Sequence, residues 1–162
     1  MIEINIGPKT ISQALELASD LKRLNNSIEG GGGNAAGLIG EVVCAAAMGG
    51  RICNTYNYDI KTSNGLTVDA KTKRCSSKPC QEYECSVAAF NTFQKCDIYA
   101  FVRILNNYSK AWFLGWMKKV EYFEKAKFMK KGQIDPANGF SVRADCYNLK
   151  ICELSLENVC IP

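Results

Sequence analysis

Asp69 and Lys71 stand two positions apart in the run GLTVDAKTKR, residues 65–74, and Lys73 continues the spacing. In an extended chain alternate side chains share one face, so an acid and two ammonium groups line up together. Such a row is either a solvated edge strand or a site that uses a carboxylate and a lysine side by side. The 162-residue chain contains no histidine. That removes Ser-His-Asp and Cys-His catalysis, zinc-protease motifs and the histidine-based nucleases. Any chemistry must run on carboxylates, lysines, hydroxyls or thiols. There are nine cysteines, with Cys75, Cys80, Cys85 and Cys96 close together. No Cys-x-x-Cys pair occurs, so buried thiols are favoured over a zinc site, and a thiol-rich metal or redox protein has little support from spacing.

The hairpin around Ser63-Asn64-Gly65 decides which partners Asp69 meets. A two-residue loop pairs Ile60 with Asp69 and Lys61 with Val68, setting apolar side chains against charged ones. A three-residue loop with Gly65 left-handed pairs Thr62 with Leu66, Ile60 with Val68 and Tyr58 with Ala70, which gives one clean apolar face. The other face then carries Asp59 opposite Asp69, Asn57 opposite Lys71 and Lys61 opposite Thr67. Hydrophobic alternation selects this register. It places two carboxylates roughly 4.5–5.5 Å apart at Cβ, which destabilises a sheet unless something compensates. Lys71 supplies part of the compensation. A divalent cation held by two hard carboxylates and water supplies more, whereas on an exposed face water would screen both acids.

Several elements must position these groups. Lys9–Leu24 reads as a helix with Ile11, Leu15, Ala18 and Leu21/Leu24 inward, followed by four glycines at 30–33 that suit a hinge. A second helix, Ala35–Met48, is small and apolar, and its one charge is Glu41. A buried carboxylate there needs a cation, from a salt bridge or as a metal ligand. Strands are expected at 56–62, 66–74, 83–88, 97–105 and 110–117, then a lysine-rich helix at 118–131 and a short strand near 146–151. The fold class expected is α/β, a central mixed sheet flanked by helices. Residues 1–34 form an N-terminal helix and glycine hinge, and 35–162 form the main domain.

Glu41 on a helix, Asp59 on a strand and Asp69-Ala70-Lys71 on the next resemble the PD-(D/E)XK nuclease superfamily, small phage-encoded members in particular. The resemblance covers about residues 35–117 and implies a restriction-endonuclease-like core of order αβββαβ. Tyr58 stands where many members have proline before the strand acid. The resemblance implies that Asp59, Asp69 and the Ala70 carbonyl ligate Mg²⁺ (or Mn²⁺), with Glu41 completing the acidic cluster. Lys71 would orient or deprotonate the attacking water, or stabilise charge on the phosphorane. Lys73 and Arg74 become candidate phosphate contacts, as do Lys118 and Lys119 on the lysine-rich helix, and Gln94 a candidate site-lining group.

The expected function is a Mg²⁺-dependent deoxyribonuclease, an endonuclease that could act on branched or junction DNA. The alternative is a non-catalytic nucleic-acid-binding protein that keeps the fold. The net charge of +4 leans toward a polyanionic partner without deciding it. Exchange of the N-terminal helix across the glycine hinge would suit a homodimer. No apolar stretch is long enough for a membrane span and no leader follows Met1, so the expected location is the cytoplasm, that of the host cell if the chain is phage-encoded.

Overall fold

A computed structural model describes residues 1–20, 34–53, 55–135, 139 and 141–160. The chain runs β1 (Ile2–Asn5), α1 (Pro8–Asp20), α2 (Asn34–Met48), β2 (Gly50–Ile52), β3 (Ile60–Thr62), β4 (Thr67–Cys75), β5 (Glu84–Ala88), β6 (Ile98–Leu105), β7 (Lys110–Lys118), α3 (Lys119–Lys125), β8 (Lys127–Met129) and β9 (Cys146–Lys150). The end of the first expected helix and the glycine run at 30–33 lie outside the described residues.

The architecture is mixed α/β. A six-stranded sheet has the order β1-β7-β6-β4-β3-β2, and a three-stranded sheet has the order β5-β9-β8. β4 and β6 are parallel, and every other pairing is antiparallel. The central strand β6, IYAFVRIL, is buried at all but its last residue. Such a strand, covered on both faces, needs a continuous rather than alternating apolar run.

Each face of the large sheet has its own core. Ile60, Val68, Ile98, Ala100, Val102, Ile104 and Phe113 pack beneath Leu38, Ile39, Val43, Cys44 and Ala47 of α2. On the other face Tyr99, Phe101, Trp112 and Leu114 pack against Tyr122 of α3 and against Cys85, Val87 and Leu149 of the small sheet. β4 therefore turns Val68 into the helical layer and Asp69 and Lys71 toward the opposite layer.

Several expected elements differ. Residues 56–59 are not strand: the Thr55 hydroxyl donates to the Tyr58 carbonyl at 2.8 Å and accepts the Tyr58 N–H at 3.0 Å, which curls the chain into a turn. The lysine-rich helix stops at Lys125. Ala126 is extended, and 127–129 instead pair with β9. The expected strand at 83–88 forms as β5 but joins the small sheet. As a result, β5 and a 3-10 turn (Ala89–Asn91) connect parallel β4 to β6, with no α-helix between them. Near the N-terminus an unexpected strand, β1, pairs with β7. In α1 the side chain of Ala14 is buried while Ile11, expected inward, is exposed.

Candidate functional site

The hairpin adopts the register that alternation selects. Ile60 faces Val68, Lys61 faces Thr67, and the Thr62 N–H donates to the Leu66 carbonyl at 2.9 Å. Gly65 takes φ +89°, which only glycine adopts without strain. Continuing that register, the Ala70 N–H would meet the Tyr58 carbonyl. The Thr55 turn has claimed that carbonyl, and the Asp59 carboxylate replaces it, accepting the Ala70 N–H at 2.8 Å. Asp59 is thus anchored at the point where β3 and β4 part, and its own N–H still donates to the Val68 carbonyl at 3.0 Å.

Glu41 comes from the helical layer. Immediately before it, Gly40 lets α2 touch β4: a Cβ on Gly40 would lie 1.8 Å from the Thr72 hydroxyl oxygen. This close approach brings the sole charge of α2 within electrostatic reach of Asp59 and Asp69. Burial, followed by those two carboxylates, raises the Glu41 pKa well above the carboxylate range. Asp59 is raised for the same two reasons, burial first and then Asp69, with the Ala70 N–H and Lys71 acting against them.

Asp69 is 2% exposed. Its Oδ2 lies 2.7 Å from Lys71 Nζ, and that ammonium is its charge partner. Lys71 Nζ also donates to Gln94 Oε1 at 3.3 Å and lies 5.8 Å from the centre of the Tyr99 ring. Gln94 is buried, and its amide nitrogen donates to the Tyr56 carbonyl at 3.0 Å. Lys119 donates to the Thr92 carbonyl at 2.7 Å and to that of Gln94, so its ammonium clamps the loop before β6.

Among the described residues, the buried side-chain polar atoms that lack a hydrogen-bond partner are Glu41 Oε2, Asp69 Oδ2, Thr72 Oγ1 and Tyr99 OH. They lie on both sides of β4: Thr72 meets the residue before Glu41 in the helical layer, and Tyr99 neighbours Asp69 in the parallel register on the opposite face. Buried polar groups are ordinarily satisfied, so acids left short of partners within electrostatic reach of one another mark a place built for something else. The donors are hard oxygens with surplus negative charge, which fits Mg²⁺ or Mn²⁺. The acids are gathered rather than converged. Among the described residues, no three Asp, Glu, Cys or His side chains stand close enough to form a finished ligand set.

The structure brings together Glu41, Asp59, Asp69, Ala70 and Lys71, and it adds Gln94 as a direct partner of Lys71. Gly40 and Tyr99 carried no signal in the sequence, whereas Gln94 was a candidate site-lining group. Arg74 and Lys118 are exposed, the latter 3.7 Å from Glu121. Lys73 is exposed as a residue, and desolvation followed by neighbouring Arg103 pushes its pKa down. No helix of the described chain is long and apolar enough to cross a membrane. The chain matches no family model and no curated protein.

Proposed function

We propose that this chain is a divalent-metal-dependent deoxyribonuclease, most simply an endonuclease, with a restriction-endonuclease-like core. The observation that carries the proposal is the buried meeting of Glu41, Asp59 and Asp69 around one lysine, with Glu41 Oε2 left without a donor. Three acids at such close quarters cannot all ionise cheaply with one ammonium among them, and a divalent cation would relieve the excess.

Asp59, Asp69 and the Ala70 carbonyl would hold Mg²⁺ or Mn²⁺, with Glu41 beside them. A bound ion would supply charge stabilisation and a more acidic water for phosphodiester hydrolysis. The chain's own groups have separable tasks. The Ala70 N–H fixes the Asp59 carboxylate. Lys71, held between Asp69 and Gln94, points its ammonium where it can orient a water or meet charge growing on a phosphate oxygen. Tyr99 beneath Lys71 and the buried walls exclude bulk water.

The absence of a converged ligand set among the described residues favours a second reading, a nucleic-acid-binding protein that keeps the acids without the reaction. Incubating plasmid and branched DNA with Mg²⁺ or Mn²⁺ separates the two. The nuclease cuts as wild type and loses on the order of a thousandfold or more as Asp69→Ala or Lys71→Ala, about 4 kcal/mol of transition-state stabilisation. Binding without cleavage by the wild type selects the second reading, and equal cleavage by all three proteins refutes the site.

A further inference from the structure

Beside the acid cluster, three large aromatic side chains face solvent: Tyr56 is 63% exposed, Phe90 49% and Phe93 81%. A single exposed aromatic is unremarkable, but these three come from two short segments stitched to each other and to the site. Gln94 Nε2 donates to the Tyr56 carbonyl at 3.0 Å, and the Lys95 N–H donates to Asn57 Oδ1 at 3.1 Å. Thr92 folds back on the Ala89 carbonyl at 2.8 Å, and Lys119 holds the Thr92 and Gln94 carbonyls. The same Gln94 touches Lys71. The rings therefore ride on a hydrogen-bonded frame one side chain away from the candidate catalytic lysine. They do not cover one another, since no ring contact joins Tyr56, Phe90 and Phe93.

We propose that Tyr56, Phe90 and Phe93 form a stacking lip that takes the unpaired bases of single-stranded DNA and delivers the adjoining backbone to the acid cluster. This deepens the nuclease reading and rests on it for the identity of the polymer. A base still paired and stacked in a duplex has no free face to offer such a ring, whereas an unpaired base gains by covering it. Charge agrees with this occupant. Exposed Lys95 follows Phe93 by two residues and makes no ion pair among the described residues, so a cation lies where a phosphate beside a stacked base would pass. The lip thus accounts for both the exposed aromatic surface and its basic flank.

The test is fluorescence anisotropy in EDTA, where binding is read apart from cleavage. The probes are a labelled oligothymidylate, a blunt duplex of equal length and a single-stranded RNA of matching sequence. Because the rings are exposed, Phe93→Ala and Tyr56→Ala leave the core intact. Each is expected to weaken oligothymidylate binding by roughly five- to a hundredfold, the range seen when one base–aromatic stack is removed, with duplex affinity unchanged. Phe93→Trp keeps wild-type affinity. Unchanged oligothymidylate affinity in both alanine variants overturns the proposal, as does an equal loss on the duplex or a preference for the RNA. A wild type that binds no oligonucleotide but self-associates through Phe93 in sedimentation also overturns it, and assigns the lip to protein contact. Mg²⁺ is then added to the same complexes. Absence of cleavage with aromatic-dependent binding intact removes the nuclease reading and leaves the lip standing.

Discussion

The two ends of β4 make opposite use of buried polarity. At the start of the strand Asp69 and Lys71 belong to a cluster with surplus acid, raised carboxyl pKa values and orphaned oxygens. Four residues beyond Asp69, Lys73 stands opposite Arg103, which is 8% exposed yet well supplied with partners. Arg103 Nη2 donates to the Glu84 carbonyl at 2.9 Å, and its guanidinium lies 5.9 Å from the Tyr83 ring centre. Asn148 donates to Glu84 Oε2 at 2.8 Å and approaches Met129 Sδ at 3.4 Å. This second cluster ties the large sheet to the small one. A polar group that the fold has satisfied stabilises structure, whereas one left short of partners costs stability and is kept for a ligand. The contrast divides the row of charges along β4: Asp69 and Lys71 face the site, and Lys73 belongs to the inter-sheet network.

The largest effect should come from breaking the satisfied end. Arg103→Ala strands the Glu84 carbonyl and leaves a hole between the sheets. It should lower unfolding free energy by about 2–4 kcal/mol in urea titrations, with cleavage per folded molecule unchanged. A variant as stable as wild type would show that the network contributes nothing.

The site end should respond in the opposite sense. Glu41 has a buried oxygen with no donor and no ion pair among the described residues. Glu41→Gln replaces a carboxyl that must take up a proton to be buried among these acids, and should stabilise the metal-free protein by about 1–2 kcal/mol at neutral pH. Thermal melts should also show the wild type gaining more from Mg²⁺ than the variant does, because an ion that binds only the folded state stabilises by mass action. If Glu41→Gln is destabilising without metal and equally responsive with it, the cluster is structural.

What could be read in advance follows the range of the interactions. The hairpin register was legible because alternation and one left-handed glycine are local signals, and they placed Asp59 and Asp69 together. Glu41 was legible as the lone charge on a small, apolar helix. The premature end of β3 was not, because it depends on the Thr55 side chain competing for the carbonyl that a ladder would have used. Gly40 looked like one more small residue of α2, and its contact with Thr72 spans two layers. The lysine-rich segment misled because its period suits a helix, while pairing with β9 turned its second half into strand. The same long-range pairing put β5 in the small sheet and made Arg103 a buried link.

Glu84 sharpens the comparison at its weakest point, the one acid of the satisfied network whose pKa is raised. Desolvation is the leading cause, with Asp135 next, while Asn148 and Lys127 oppose them. A carboxyl raised on folding binds its proton more tightly in the native state. Its favourable contribution is therefore complete below the unfolded pKa of about 4.3 and is lost as pH rises through the folded value. Glu84→Gln can keep the bond from Asn148 through its amide oxygen and drops the charge facing Asp135. It should match wild type at acid pH and exceed it above the Glu84 pKa by no more than about 0.5–1 kcal/mol, since solvent reaches this group. Urea midpoints measured from acid to neutral pH should diverge in that direction. A constant difference across the range would mean that the amide changes packing rather than charge, and that the Glu84 carboxylate is as well compensated as the rest of its network.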